Sequence, residues 1–144
     1  MATDFKTLDS EIQELIQAAI EVKKNAYCPY SNFHVGAAVL CKDGKMVAGC
    51  NVENASYGLS ICAERSAITS AVAEGYTQFK AVAMSCDIKD SFKGPCGACR
   101  QFIIEFGLDI SIYIVKPDMT VLKVISGDML PMSFTPATLA AERV

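Results

Sequence analysis

The sequence predicts an α/β fold in which helices cover both faces of one mixed sheet of five strands. Helical and strand-like patterns alternate along the chain, which is the first observation behind this prediction. The second is the short, uninterrupted apolar segment 79–86, which is typical of a strand in a covered sheet. The third is the length of 144 residues, enough for one core. With no linker or repeat in evidence, residues 1–144 are expected to form a single domain.

The first half of the chain is predicted to hold a helix, a hairpin and a second helix. Asp9 and Ser10 can cap a helix, because apolar residues follow them at helical spacing. Lys42-Asp43-Gly44 is typical of a hairpin turn between two strands. An alanine-rich helical pattern follows the hairpin. The predicted elements are a helix from Ser10 to about Asn25, strands at 33–40 and 45–51, and a helix at 63–73.

The second half begins with the apolar strand and ends with short helical segments. A polar loop at 87–94 leads to Pro95, which is suited to the start of a helix, and Gly107 can end that helix. Two further strands flank a turn that contains Pro117. The predicted elements are strands at 79–86, 110–115 and 121–124, a helix after Cys96, and helical segments at 126–130 and 136–141.

Composition narrows the possible partners and compartment. A net charge of −3 argues against a nucleic-acid polymer as partner. Hydrophobic content of 51% is high, yet no apolar run reaches the length of a membrane span, so apolar surface is expected between subunits. Residues 1–6 lack the features of a signal peptide. Together with seven cysteines, this leads us to expect a reducing, cytoplasmic location.

Cys96 and Cys99 form a Cys-x-x-Cys pair at the start of a predicted helix. At this spacing both sulfurs fall on nearly the same side of the helix, so they can bind one tetrahedral ion. The helix N-terminus favours the thiolate form that metals require.

Cys62 and Glu64 stand at the start of another predicted helix. They can share one metal centre only if this helix points at the ion end-on, with Cys62 as a ligand and Glu64 beside a bound water. Three cysteine ligands leave a fourth position for water, as in catalytic zinc sites. Zinc would turn that water into a hydroxide nucleophile, and Glu64 could move protons. Arg65 and two helix N-termini can offset the surplus negative charge.

Two simpler interpretations of the cysteines remain open at this point. A Cys-x-x-Cys pair alone can be a redox pair, or half of a closed structural zinc site. A fourth ligand for a closed site could come from the other cysteines. Closed sites usually use two closely spaced pairs, however, and Cys62 has no such partner. The remaining cysteines are Cys28, Cys41, Cys50 and Cys86, and they are most simply small apolar residues.

The combination of Cys-x-Glu with a later Pro-Cys-x-x-Cys resembles the zinc deaminase signature in its variant with three cysteine ligands. Nearly the whole chain is similar to the small, homotetrameric type of cytidine deaminase. The similar segments are Tyr27-Cys28-Pro29-Tyr30-Ser31-Asn32-Phe33, Asn51-Val52-Glu53-Asn54-Ala55, Ile61-Cys62-Ala63-Glu64-Arg65, Pro95-Cys96-Gly97-Ala98-Cys99-Arg100-Gln101 and Leu130-Pro131-Met132-Ser133-Phe134.

The resemblance implies a three-layer αβα sandwich of the cytidine deaminase type and one Zn²⁺ per chain. It implies hydrolytic deamination of cytidine and deoxycytidine to uridine and deoxyuridine, a reaction of pyrimidine salvage. Zinc hydroxide would attack C4 of the base, with Glu64 as the proton shuttle. The partner is then a small nucleoside, and the chain is expected to form a homotetramer with shared active sites.

The resemblance also implies roles for residues outside the metal centre. Asn51 and Glu53 would bind the ribose hydroxyls, although by themselves they could be turn residues. Phe33 would lie against the base, although it could simply be a core residue. The remaining implied contacts are Ala63 at the pyrimidine edge, and Ala55, Tyr57 and Phe134 at the pocket of a neighbouring subunit.

Arg65 and His34 are the two other candidates near these motifs. Arg65 is expected to hydrogen-bond Cys62 and one sulfur of the Cys-x-x-Cys pair, and so to tune the metal. His34 is the only histidine. It belongs to neither motif, so we expect a strand residue facing solvent or a satisfied hydrogen bond rather than a ligand.

Three alternative functions share either the deamination chemistry or the bound zinc with this interpretation. A deaminase of a cytosine-nucleoside antibiotic is the nearest alternative, because the ribose pair argues against it only loosely. A deaminase of cytidines within RNA would need a basic groove, which is not evident. A non-catalytic zinc-binding scaffold would have no open metal position and no role for Glu64.

Overall fold

The computed structural model describes residues 1–144 and contains one mixed sheet of six strands in the order β1-β6-β5-β4-β2-β3. β4 and β5 are parallel, and all other neighbouring pairs are antiparallel. The strands are β1 (Ala2–Asp4), β2 (Val35–Cys41), β3 (Met46–Cys50), β4 (Phe79–Cys86), β5 (Ser111–Val115) and β6 (Thr120–Ile125). The helices are α1 (Ser10–Val22), α2 (Ala63–Ala73), α3 (Gly97–Ile104) and α4 (Pro136–Ala140).

The sheet separates two hydrophobic layers, so the sandwich has the expected three layers. Alternate residues of each strand point to opposite faces, which is why β2 contributes to both layers. No helix combines the length and apolar composition that a membrane span requires. One layer contains Ile12, Leu15, Ile16 and Ala19 of α1 packed on Ala38, Leu40, Ala81, Ala83, Tyr113, Val115 and Val121. The other contains Ala63, Ala67, Ile68, Ala71 and Ile103 of α2 and α3 packed on Ala37, Val39, Val47, Val82, Met84, Ile112 and Ile114, among others.

Two glycines let helices approach the sheet at backbone distance. A Cβ atom on Gly36 would lie 2.0 Å from the Ala19 carbonyl oxygen of α1. A Cβ atom on Gly49 would lie 2.3 Å from the Ala67 backbone nitrogen of α2. Both contacts are with backbone atoms, which cannot rotate away. The position of α2 therefore depends on Gly49 of β3 having no side chain.

Strand directions bring three chain segments to one edge of the sheet. β2 is antiparallel to both β3 and β4, so β3 and β4 end at the edge where β2 begins. The segment after β3 leads to α2, and the segment after β4 leads to α3. The starts of α2 and α3 therefore meet beside the start of β2. This is the expected location of a binding site in an open α/β sheet, where ligands lie beyond the carboxyl ends of the strands.

The prediction of five strands is wrong, because the structure contains six. The additional strand, β1, pairs with β6 through residues Ala2–Asp4 and is exposed along its length. A three-residue exposed strand has no alternation of buried side chains, so the sequence offers no pattern from which to predict it. The helix predicted to reach Asn25 is α-helical only to Val22 and ends in a 3₁₀ turn. The other elements agree with the predicted ranges within about three residues at each end.

The strand predicted to start at Phe33 starts at Val35 instead. The side chain of Asn51 explains the difference. Its amide donates to the Phe33 carbonyl at 2.7 Å, and its carbonyl accepts from the Val35 amide at 2.9 Å. A side chain thus replaces a neighbouring strand as the hydrogen-bond partner here, and the backbone of Phe33 is free to leave the sheet.

Replacing Gly49 with alanine should destabilise the fold. The new methyl group would overlap the α2 backbone, and overpacking of this kind costs about 1–3 kcal/mol. The matched control is Gly58→Ala, because no atom lies within 4 Å of a Cβ atom at Gly58. Urea unfolding of the two variants measures the difference. Equal free energies of unfolding would show that α2 does not depend on its contact with Gly49.

Candidate active site

Three cysteine sulfurs meet where α2 and α3 begin. Cys62 immediately precedes α2, Cys96 immediately precedes α3, and Cys99 lies in the first turn of α3. The three Sγ atoms lie within 4.8 Å of one another, and those of Cys62 and Cys96 are 3.7 Å apart. Cys62 and Cys96 have extended backbones, so both stand at helix ends where the first backbone N–H groups lack partners within the helix.

The cluster fits a zinc ion by spacing and by chemistry. Zinc–sulfur bonds of about 2.3 Å in a tetrahedron place two sulfurs about 3.8 Å apart, close to the separation of Cys62 and Cys96. Thiolates are the ligands that zinc favours among first-row metals. Arg65 places a cation beside the cluster, and its buried Nε atom has no hydrogen-bond partner in the protein. The guanidinium Nη2 atom of Arg65 lies 3.4 Å from Cys62 Sγ, which is one of the two sulfur contacts expected for Arg65.

The surroundings favour a thiolate at Cys62 before any metal binds. Hydrogen bonds with Cys99, Arg65 and Cys96 lower the pKa of Cys62 to about 5, although partial burial opposes them. The pKa of Cys99 is raised, first by its hydrogen bond to the Cys62 thiolate and then by burial. The pKa of Arg65 is raised by its hydrogen bond to Cys62. The negative charge on Cys62 is therefore matched by a fixed cation.

Glu64 lies beside the cluster without belonging to it. Its side chain is 3% exposed, and one carboxyl oxygen, Oε2, lies 3.4 Å from Cys99 Sγ. Burial raises the pKa of Glu64, and the charge on Cys62 acts in the same direction. A buried carboxyl that retains a proton more readily than usual, next to a metal site, has the properties of a general acid and base.

A cavity of about 360 Å³ opens onto the cluster. Six of the predicted binding residues and metal ligands lie in its wall together with Glu64. The lining consists of Ser31, Phe33, Val35, Asn51, Glu53, Ser60, Ile61, Cys62, Ala63, Glu64, Met84, Gly94 and Cys96. The structure therefore brings Phe33, Asn51, Glu53 and Ala63 into the same cavity as the cluster and Glu64.

Asn51 and Glu53 are held in this wall by hydrogen bonds to the backbone. The amide of Asn51 retains one N–H after its bond to Phe33. Glu53 accepts backbone N–H groups from Tyr30 and Ser31, both at 3.1 Å, and the hydroxyl of Ser31. These bonds, led by that of the Ser31 hydroxyl, lower the pKa of Glu53. Asn51 thus presents a donor and Glu53 an ionised acceptor, which together match a pair of sugar hydroxyls.

Three predicted contact residues lie outside the cavity wall of their own chain. Ala55 and Tyr57 are exposed, and the ring of Tyr57 packs at 5.7 Å from that of Tyr30 in an adjoining cleft. Phe134 is 55% exposed, and its carbonyl oxygen accepts a hydrogen bond from Gln101 at 2.9 Å. Tyr57 therefore borders the adjoining cleft, and Ala55 and Phe134 line neither opening.

Sequence reasoning overlooked two groups of residues that support the site. Ser31 contacts Glu53, but a serine in a turn carries no signal of such a contact unless the turn and the carboxylate are known to meet. Arg100 donates to the Pro95 carbonyl at 2.7 Å and to the Met129 carbonyl at 3.1 Å, and the adjacent Gln101 binds Phe134. The start of α3 thus holds both the Cys96 segment and the C-terminal segment.

The remaining histidine and cysteines lie apart from the cluster. His34 is partly exposed, precedes β2 and lines neither the cluster nor the cavity. Burial raises the pKa values of Cys28 and Cys41. All four remaining cysteines are free thiols outside the cluster, and no fourth sulfur closes it. The arrangement has the open form of a catalytic site rather than the closed form of a structural one.

Comparisons with known proteins agree with this geometry. A family model described as the cytidine and deoxycytidylate deaminase zinc-binding region matches residues 9–115. The chain is 49% identical to a probable cytidine deaminase of Dictyostelium discoideum over 132 residues, which are 92% of this chain and 89% of that protein. It superimposes on a crystal structure of cytidine deaminase from Burkholderia pseudomallei with a TM-score of 0.81 and 47% identity, covering 84% of this chain and 97% of that one.

A blasticidin-S deaminase of Bacillus cereus is more distant. It is 27% identical to this chain over 129 residues, which are 85% of the chain and 91% of that protein. The family model, the Dictyostelium relative and the Burkholderia structure, together with the cluster of three cysteines, lead to one conclusion. The chain belongs to the cytidine deaminase family of zinc-binding hydrolases.

Proposed function

We propose that this chain hydrolyses free cytidine and 2′-deoxycytidine to uridine and 2′-deoxyuridine, with release of ammonia. The observation that supports this proposal most directly is one cavity lined by Cys62, Cys96 and Glu64 together with the polar pair Asn51 and Glu53. A metal centre with a buried carboxyl suits hydrolysis, and a donor beside an ionised acceptor suits a sugar.

The dimensions of the cavity suit a nucleoside. Its volume of about 360 Å³ is typical of pockets for small molecules. Phe33 contributes an aromatic ring to the wall and is 40% exposed in the single chain, so its ring is available to a base. The backbone of Ala63 lies next to Glu64 at the start of α2, within reach of the edge of the same base.

The charges in the wall favour a nucleoside over a nucleotide. The cavity and the adjoining cleft contain no lysine or arginine, and both include the ionised carboxylate of Glu53. A 5′-phosphate brings a charge of about −2 and requires cationic or N–H partners. Although the family includes deoxycytidylate deaminases, this wall offers a phosphate no cation.

Proton transfer is the task of Glu64. Zinc, when held by Cys62, Cys96 and Cys99, acidifies a bound water and thereby supplies a hydroxide nucleophile at neutral pH. The Glu64 carboxyl gives a proton to N3 of the cytosine ring, which makes C4 more electrophilic. It then accepts a proton from the attacking water and delivers it to the departing amine, and the C4 hydroxyl returns its proton to Glu64 as ammonia leaves and the C4 carbonyl forms. Because Glu64 is buried, the surrounding protein excludes bulk water from these transfers.

Arg65 balances the charge of the metal centre. Three thiolates exceed the charge of a dication by one, and this surplus weakens the acidification of water. The guanidinium beside Cys62 and the N-termini of α2 and α3 reduce the surplus. Arg65 therefore acts on the metal through its ligands.

We further propose a homotetramer in which neighbouring chains complete each cavity. Exposed apolar side chains concentrate in segments 27–33, 52–61 and 132–139, which border the cavity or the C-terminal end. Such concentrations mark interaction surfaces. Ala55, Tyr57 and Phe134 would then contact the cavity of an adjacent chain, since none of them lines the cavity of its own.

A panel of substrates tests the proposed function. Ammonia release should be at least about a hundredfold more efficient with cytidine and 2′-deoxycytidine than with cytosine, deoxycytidylate or blasticidin S, since only the nucleosides satisfy the sugar pair without adding charge. Steady-state kcat/KM values measure this preference. Equal efficiency with cytosine would contradict the sugar site, and a preference for deoxycytidylate or blasticidin S would replace the proposed substrate class.

Two substitutions separate metal binding from proton transfer. Cys99→Ala should lose stoichiometric zinc, because only two thiolates remain to bind the metal. Cys41→Ala, which removes a buried thiol outside the cluster, should retain zinc.

Glu64→Gln should retain zinc and lower kcat by about a hundred- to ten-thousandfold. Metal analysis and ammonia release measure both effects. Full zinc in Cys99→Ala, or near-normal turnover in Glu64→Gln, would refute the corresponding assignment.

Replacing Phe134 with alanine tests the shared cavity. The variant should raise KM or lower kcat with zinc content unchanged, whereas Leu108→Ala, which truncates another half-exposed apolar side chain, should have little effect. Sedimentation of the active species accompanies the kinetics. A fully active monomer would rule out cavities completed by neighbouring chains.

A further inference from the structure

The carboxylate of Glu53 is held on both of its oxygens by a single turn. Oε1 accepts the backbone N–H groups of Tyr30 and Ser31, and Oε2 accepts the hydroxyl of Ser31. Of these three donors, the hydroxyl is the only one that belongs to a side chain. It is also the only group that fixes the rotation of the carboxylate about its last bond, since it binds the second oxygen.

The same hydroxyl also contacts the backbone of the residue expected to face the base. Ser31 Oγ accepts the N–H of Phe33 at 3.0 Å while it donates its own hydrogen to Glu53. On its other side, the Phe33 carbonyl accepts from Asn51 at 2.7 Å. A serine hydroxyl has one hydrogen and two lone pairs, so both of these bonds can exist at once.

These bonds form a continuous chain of four residues in one wall of the cavity. Glu53, Ser31, Phe33 and Asn51 all line that wall, and each is hydrogen-bonded to the next. Asn51 and Glu53 stand at the two ends of the chain, with Phe33 bonded to Asn51 and Ser31 bonded to Glu53. Movement of the hydroxyl would therefore disturb the Glu53 carboxylate and the backbone of Phe33.

We infer that Ser31 is a positioning residue that orients the Glu53 carboxylate toward the substrate sugar and couples it to Phe33. This inference rests on the proposed function, because it assumes that Glu53 binds a sugar hydroxyl. The Ser31 hydroxyl occupies one lone pair of Oε2, and the carboxylate, which lines the cavity, retains another for a substrate hydroxyl. Without it, Oε2 would be solvated, and the substrate would have to order the carboxylate on binding.

The location of Ser31 argues against a role in folding. The residue is exposed, and the turn that contains it is also held by the backbone bond from Asn32 to Cys28 at 2.9 Å. Loss of the hydroxyl therefore removes orientation at the site and leaves the core intact. Its effect should appear in substrate binding rather than in thermal stability or zinc content.

Kinetics of Ser31→Ala test the inference. The variant should raise KM for cytidine about tenfold, the size expected for a hydrogen bond to a charged group, and change kcat less than about twofold. Ser70→Ala, which removes an exposed hydroxyl from α2, is the control and should match the unmodified chain. Ser31→Thr keeps the hydroxyl and should restore KM. Ser31→Val, in which the side chain has the shape of threonine but no hydroxyl, should behave like alanine. Equal KM values for the threonine and valine variants would overturn the inference.

A double-mutant cycle identifies Glu53 as the residue through which Ser31 acts. In a Glu53→Ala background, Ser31→Ala should change kcat/KM for cytidine less than about threefold, because the carboxylate that it orients is absent. The same tenfold loss in both backgrounds would mean that Ser31 acts independently of Glu53, and would refute the coupling.

Crystal structures provide a test that does not depend on turnover. In Ser31→Ala the Glu53 carboxylate should rotate away from its position in the unmodified chain, and the Phe33 backbone should shift with it. An unchanged carboxylate would refute the positioning role. If the unmodified chain fails to deaminate cytidine, the proposed function fails, while these structures still decide whether Ser31 orients Glu53.

Discussion

The site depends on the meeting of two helix N-termini at one edge of the sheet. Cys62 and Cys96 each occupy the position before a helix, so their sulfurs meet where the first N–H groups of both helices lack partners within the helix. This meeting requires β3 and β4 to end together, and it requires α2 to lie on β3 at backbone distance. Gly49 permits that distance. The absence of a side chain at Gly49 thus helps to set the position of Cys62 relative to the other two sulfurs.

The electrostatics of the site follow from burial beside concentrated negative charge. The thiols of Cys62, Cys96 and Cys99 and the carboxyl of Glu64 share a small volume, where only Arg65 supplies a formal cation. The guanidinium of Arg65 and the N-termini of α2 and α3 compensate this negative charge, and no further side chain joins the cluster. Burial also raises the pKa of Glu64, so the group nearest the sulfurs can hold a proton that an exposed carboxyl would have lost.

The side of the cavity that we propose to bind the sugar is built by different means. Here the polar groups lie on turns, and they are ordered by hydrogen bonds between side chains and backbone rather than by helix packing. Asn51 and Glu53 follow β3, whereas Ser31 and Phe33 precede β2, and the bonds between them join the two segments. This chain contributes no lysine or arginine to the wall, which supports the proposal of an uncharged nucleoside as substrate.

The sequence by itself determined the order of elements and the chemistry of the metal centre. The residue types and spacing of Cys62, Glu64, Cys96 and Cys99 restrict the chemistry to few possibilities, and apolar periodicity predicts strands and helices whose buried faces repeat. Only the tertiary structure decided features that depend on contacts distant in sequence. β1 was missed because an edge strand pairs through its backbone and leaves no side-chain pattern. The later start of β2, at Val35 rather than Phe33, arises from Asn51, and the role inferred for Ser31 arises from Glu53. The hydrogen bonds involved join residues more than fifteen positions apart.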